Sequence, residues 1–259
     1  MKYLGGKQRL GRYIAPVLIE IIENNKIDTY LEPFCGALGV LKNLTHLKIK
    51  IKASDYHPDL IAMWQRLQEG NFEPPQNITE SEYNYYKLNV KSPDPLKGFV
   101  GFGSSFGGKF FAGYAQKYTN GKNENFCLEA YRSLKRIEKL IQEVEFRCQD
   151  YRKLNPTNTL IYCDPPYSKT KYPIKYRTDV KHYDVFDSEG FWEVMRRWSK
   201  NNIVVISETH APEDFVVIWS MDIFRSACQS KKTRYKNDTT KKKSSEKLWC
   251  HKDIAKLII

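Results

Sequence analysis

The stretch TLIYCDPPYSK (159–169) places an acid, two prolines and an aromatic ring directly after a run of strand-forming residues. Ionised Asp164 can only accept hydrogen bonds, and Pro165 contributes a carbonyl without an N–H, so the two offer adjacent acceptors. Pro166 stiffens the turn and Tyr167 adds a π face. This set suits an exocyclic amine such as adenine N6, whose lone pair is delocalised into its ring. Holding both amine hydrogens turns the nitrogen toward tetrahedral geometry and frees that pair for attack. Acceptors fixed in advance stabilise such a state without reorganising, and the scheme calls for no metal. The other reading is a plain turn, because Pro-Pro cannot continue a ladder.

A second candidate site lies in LEPFCGALGV (31–40). A strand runs into Glu32, Pro33, Phe34, Cys35, Gly36 and Ala37, and a helix is expected to follow. Glycine at that turn allows close backbone approach to a ligand, and a helix N-terminus offers free N–H groups. The spacing is neither a G-x-G-x-x-G nor a P-loop, so it does not indicate phosphate cradling. Asp55 ends the next strand, 19 positions after Gly36 and followed by Tyr56. An acid about 20 residues past the glycine turn is where Rossmann-like sheets hold ribose hydroxyls. Taken singly, the glycine reads as an ordinary turn and Asp55 as an acid heading the helix at PDL. Together they point to a nucleoside cofactor without a pyrophosphate, such as S-adenosylmethionine.

These residues need a parallel sheet to bring them together, and the pattern predicts one. IDTYLEPF (27–34) and IKIKASD (49–55) read as strands, LGVLKNLTHL (38–47) and PDLIAMWQRLQEG (58–70) as helices. Alternation resumes with FRCQD and TLIYCD as strands, a helix over 188–201 and a strand over 202–208. DIFRSACQ and EKLWCHK form a final strand pair. Between the two halves, residues 71–144 differ in character. Residues 98–122 hold seven of the fourteen glycines and seven aromatics, which does not suggest regular core. Some of these aromatics, Phe102 and Phe106 among them, are expected to form a small core for the insert. A helix over 123–145 aligns Phe126, Ala130, Leu134, Ile137 and Ile141 on one face. The fold class is therefore α/β, interrupted by a glycine- and aromatic-rich insert. DPPY falls at the carboxyl end of a strand, where open α/β sheets bind ligands.

The chain has 259 residues and a net charge of +12, which suits a polyanionic partner. Residues 231–247, with eight Lys/Arg against two acids, carry half of that excess and read as an exposed loop. Its Lys231, Lys232 and Arg234, with Lys109, Lys117 and Lys122 of the insert, are candidate phosphate contacts. Cys35, Cys127, Cys148, Cys163, Cys228 and Cys250 show no C-x-x-C spacing and are expected as reduced thiols in a cytosolic protein. No apolar run is long enough for a membrane span, and the opening MKYLGGKQRL does not read as a signal peptide.

In this order the motifs resemble those of the Dam-like, D12-class (alpha group) DNA adenine-N6 methyltransferases, across essentially the whole chain. YLGGK (3–7) resembles their Y/W-x-G-G-K motif and EPFCGALGV their F-x-G-x-G turn, with Leu38 in place of the second glycine and Gly39 one position later. ASD resembles their ribose-binding acid, and DPPY their catalytic tetrapeptide. GFVGFGSSFGGKFFAGYA is most like the small phage- and virus-type members. The resemblance implies a Rossmann-like methyltransferase sheet formed by 1–70 and 145–259, with 71–144 as the target-recognition insert and base readout mainly in 75–125. It implies S-adenosylmethionine held by Tyr3, Lys7, Asp55 and Asp164, and its methionine part by Phe34, Gly36 and their neighbours. Asp150 would meet the cofactor's adenine amine, and Tyr151 its ring. Asp164, Pro165, Pro166 and Tyr167 would act on an adenine flipped out of double-stranded DNA. It further implies a cytoplasmic, nucleoid-associated monomer or weak dimer (in the host cell for a viral member), with a cognate restriction endonuclease as a candidate partner. Cytosine N4, adenine in RNA, or a catalytically silent nucleic-acid-binding module remain the alternatives.

Overall fold

The computed structural model describes residues 1–116, 118–119, 122–166, 186–225 and 242–258. Helix α1 (Gly11–Asn24), which the sequence pattern did not assign, buries Ile14, Leu18, Ile21 and Ile22 at the spacing of one helical face. Strands β1 (Thr29–Glu32) and β2 (Lys50–Asp55) follow. The helix expected over 38–47 does not form, leaving a single 3-10 turn at Leu41–Asn43. Leu38 takes a left-handed backbone (φ 57°). The Asn43 amide donates to the carbonyls of Gly39 and Val40, both at 3.1 Å, competing for acceptors that a continuing helix would use. Helix α2 (Pro58–Gln68) starts where expected, with Pro58 in its first turn and His57 Nδ1 accepting from the Leu60 N–H.

The insert is more regular than its glycines suggest. Helix α3 (Glu80–Asn89) carries a capping box between Thr79 and Glu82. Helix α4 (Pro95–Gly103) is capped by Asp94 and is almost wholly buried, which corrects the expectation that 98–122 lies outside the core. Gly98 explains how this is possible: a Cβ there would sit 2.2 Å from the Asp59 carbonyl, so only glycine lets α4 press onto α2. Phe102 is buried as expected. Phe106 is not, being 75% exposed on a short turn, while Phe110 and Phe111 pack in the ring cluster around Phe102 and Tyr83. A two-residue hairpin, β3 (Tyr118–Thr119) and β4 (Lys122–Asn123), leads to α5 (Phe126–Glu138). This helix is shorter than the predicted 123–145 because Asn125 caps it and Lys139 ends it, yet Ile141 and Val144 beyond it stay buried.

Strands β5 (Glu145–Cys148) and β6 (Leu160–Cys163), helix α6 (Ser188–Trp198) and strand β7 (Ile203–Ser207) match the expected order. Strand β8 (Phe215–Arg225) starts seven residues before the predicted Asp222, since FVVIW is continuous with it. Strand β9 (Lys242–His251) takes in residues 242–247, which corrects the loop expected there, and residues 231–241 lie outside the described residues. A short helix, α7 (Lys252–Ile258), follows unpredicted.

The seven-stranded sheet runs β5-β2-β1-β6-β7-β9-β8. All neighbours through β7 are parallel, and β9 lies antiparallel between β7 and β8. The order reverses between β1 and β6, and the crevice at their carboxyl ends is the topological switch point. Alternation along the strands divides the core. Tyr30, Leu160, Tyr162, Val205 and Leu248 face one cluster with α1, α2, α4 and α5, so the insert shares its core with the sheet. Leu31, Ile161, Cys163, Val204 and Ile206 face α6.

Candidate active site

The same period of two decides which side chains enter the switch point. Continuing the α1-face positions to the strand ends gives Glu32 after Tyr30, Asp164 after Tyr162, Ser207 after Val205 and, on antiparallel β9, Glu246 before Leu248. All four are polar. The YLGGK segment crosses above them, and Lys7, only 7% exposed, puts its ammonium 2.6 Å from Asp164 Oδ1 and 3.4 Å from Glu246 Oε1. Glu246 also accepts from the Ser207 hydroxyl, and Glu32 accepts from Tyr30 OH at 2.6 Å. Burial pushes Asp164 up to about 6 even with Lys7 pulling it down, and the charges of Glu246 and Glu208 add to the rise. Burial likewise carries Glu32 up to about 8, so it is mostly protonated at neutral pH.

The glycine turn is locked from three sides. Gly36 has φ +44°, and a Cβ there would lie 3.0 Å from the Tyr3 ring. Its N–H donates to Asp55 Oδ2 at 3.0 Å and its carbonyl accepts from Trp64 Nε1 at 2.9 Å. Asp55 Oδ1 accepts from the His57 N–H. The turn therefore spends its amide on an internal carboxylate, and no helix N-terminus stands behind it. Burial raises the Asp55 pKa, opposed by those backbone donors. Cys35 and Ala37 are buried beside the turn and Tyr56 is 64% exposed.

On the α6 face the strand ends carry rings. Phe34 and Tyr151 approach to 4.9 Å between centroids, with Phe186 and Phe191 at their edges. Asp150 caps the turn at Tyr151–Lys153, and the Arg152 guanidinium grips its carboxylate at 2.5–3.1 Å, holding its pKa below the usual range.

The structure thus gathers Tyr3, Lys7, Glu32, Pro33, Phe34, Gly36, Asp55, Asp150, Tyr151, Asp164 and Pro165 around one sheet edge. Tyr167, Lys117, Lys231, Lys232 and Arg234 lie outside the described residues, as does the side chain of Lys122. Lys109 is half-buried in the turn after Phe106. Sequence reading missed Glu246, Ser207, Glu208, Trp64 and Arg152. A signal existed for Glu246: it is an acid in phase with the buried positions Leu248 and Cys250 of one strand. Among the described residues, no group of three or more His, Cys, Asp or Glu could hold a metal ion.

A mostly parallel sheet reversed at its centre, with acids at or just past the ends of β1, β2 and β6 and a Lys–Asp pair in the crevice, is the arrangement of a Rossmann-like methyltransferase. The family model described as D12 class N6 adenine-specific DNA methyltransferase matches residues 3–95 and 97–243, and the chain belongs to this family. It is similar to the Type II methyltransferase M.FokI of Planomicrobium okeanokoites, 25% identical over 190 residues. That match covers 64% of the chain and 28% of the relative, so the chain spans less than a third of the relative's length. No described helix is long and apolar enough to cross a membrane.

Proposed function

We propose that the chain methylates adenine N6 at a specific sequence in double-stranded DNA, using S-adenosylmethionine. The observation that carries this reading is Asp164. Lys7 ties down Oδ1, and an ionised carboxylate keeps acceptor capacity on Oδ2 for a substrate N–H. The Pro165 carbonyl is the adjacent acceptor, and Tyr167 and Pro166 complete the base site. An adenine reaches these groups by leaving the duplex stack.

The residues fit the cofactor. Asp55 spends one lone pair on each oxygen within the protein and retains others for ribose hydroxyls. Phe34 and Tyr151 provide an apolar wall for the adenine ring, with Tyr56 exposed beside Asp55. The side chain at 36 is missing where the methionine part would approach, under Tyr3. Asp150 fits after Arg152 swings away. When bound, S-adenosylmethionine supplies an electrophilic methyl on a sulfonium centre. Asp164 and Glu246 outnumber Lys7 there, which suits that positive charge. The amine nitrogen gains the methyl as the methyl–sulfur bond breaks, leaving S-adenosylhomocysteine, and gives up one proton to solvent.

The insert, 71–144, is the part we assign to target recognition, with base readout mainly in 75–125. Lys109, Lys117, Lys122, Lys231, Lys232 and Arg234 would hold phosphates and make binding weaken with salt. A cytoplasmic, nucleoid-associated enzyme and a cognate restriction endonuclease are consistent with this reading. Tritium transfer from labelled cofactor to DNA, followed by sequencing of modified bases, tests it. The expected product is N6-methyladenine in one recurring context. Label on cytosine N4 or on RNA alone selects the neighbouring chemistries, and no incorporation anywhere leaves a silent binding module.

A further inference from the structure

Glu246 enters the site from the strand farthest along the chain, and nothing in the DPPY scheme requires it. It is 5% exposed, an unfavourable place for an acid unless it is paired. Its carboxylate accepts from Ser207 and lies 3.4 Å from the Lys7 ammonium, which also touches Asp164 at 2.6 Å. One ammonium therefore stands between two carboxylates. The longer contact exceeds a charge-assisted hydrogen bond, so it acts through charge.

We infer that Glu246 is a positioning residue for methyl transfer: by sharing the Lys7 charge, it keeps Asp164 a strong acceptor for the substrate amine. This rests on the adenine-methylation reading above. A lysine paired with Asp164 alone would satisfy it, drawing electron density away from the oxygen that must hold the amine hydrogen. With Glu246 in place, Lys7 orients Asp164 through Oδ1 while part of its field is cancelled. Ser207 fixes Glu246 on the far side. The other groups facing this set are Glu208 at the end of β7, Glu32 and Tyr30 of β1, and Tyr162 of β6. Glu208 acts on Asp164 in the same direction as Glu246. Glu32, mostly protonated at neutral pH, adds little charge there.

The test is Glu246→Gln, which keeps shape and removes charge, with Glu246→Asp, which keeps charge and withdraws it by one methylene. Two readouts are used. The first is the pH profile of single-turnover methylation. The second is a carbon-13 carboxyl titration of Asp164, assigned by comparison with Asp164→Asn, which does not depend on any methyl transfer. We expect Glu246→Gln to lower the rate about tenfold. Its acid limb and the Asp164 titration should both move to lower pH by at least about half a unit. Glu246→Asp should shift both less, in the same direction. A uniform rate loss with an unmoved Asp164 titration in both variants would overturn the inference. If wild-type enzyme methylates no DNA, the function proposed above fails, and the titration still decides the role of Glu246.

Discussion

The two faces of the sheet end in different chemistry at the switch point. On the α1 face the last positions are Glu32, Asp164, Ser207 and Glu246, roofed by Lys7. On the α6 face they are Phe34 and Tyr151 with Phe186 and Phe191 around them. One side is a buried charge assembly whose members come from four strands and the chain's first ten residues. The other is a hydrophobic wall continuous with the core. Charged groups fixed in a dry crevice are suited to changing a barrier. Rings are suited to holding a flat heterocycle. Reaction and cofactor affinity should therefore separate by face.

The largest break in that comparison is Asp164→Ala. Single-turnover methylation at saturating cofactor should fall by at least about a thousandfold, with the circular dichroism spectrum little changed. Near-normal activity would remove the charged face from the chemistry. Next in size is pH. Asp164, raised to about 6, must be ionised to accept from an amine, so the rate should drop about tenfold per unit below pH 6. Stability should move the other way. Asp164 and Glu32 are both raised in the fold, so the stabilisation from their neutral forms is complete at low pH. It is lost as pH rises through about 6 and then about 8. A melting temperature that falls between pH 5 and 9 while activity rises checks both signs.

On the ring face, Phe34→Leu should weaken cofactor binding about tenfold, the scale of one aromatic contact, and leave the rate at saturating cofactor nearly unchanged. Equilibrium binding beside single-turnover rates would show whether the faces separate. The smallest effect expected is at Arg152, which covers Asp150 in an exposed pair. Arg152→Ala should tighten cofactor binding by no more than about fivefold, since such pairs contribute under about 1 kcal/mol. Weaker binding would mean that the guanidinium itself contacts the ligand.

The ordered strands, the Gly36 turn and the positions of the acids at 55 and 164 were legible because each depends on local pattern: β-branched runs, a glycine, an acid at a strand end. Asp150 was pointed to only by family resemblance. The helix over 38–47 was misread because Leu38 and Asn43 spoil it through a left-handed backbone and side-chain hydrogen bonds, which hydrophobic spacing does not register. Helix α4 was missed for the opposite reason. Its glycines serve close packing, Gly98 against α2, Gly101 against Phe110 and Phe111, and Gly103 against Ala130 of α5, and composition alone suggests a loop. Glu246 was hidden by distance along the chain, since its partners are residues 7 and 207 and no local rule connects them.

That distance also governs how the molecule is made. Lys7 precedes every strand of the sheet, and its contact with Asp164 spans 157 positions. Strand β9 must then insert between β7 and β8 before Glu246 arrives. Closing such long loops is slow compared with forming helices. A nascent chain that has folded β1, β2 and β6 still presents an open, unpaired edge at β7 and a lysine with one carboxylate. Assembly of the sheet and completion of the charge set are thus the same late event, and a protein caught before it is exposed to edge-to-edge association.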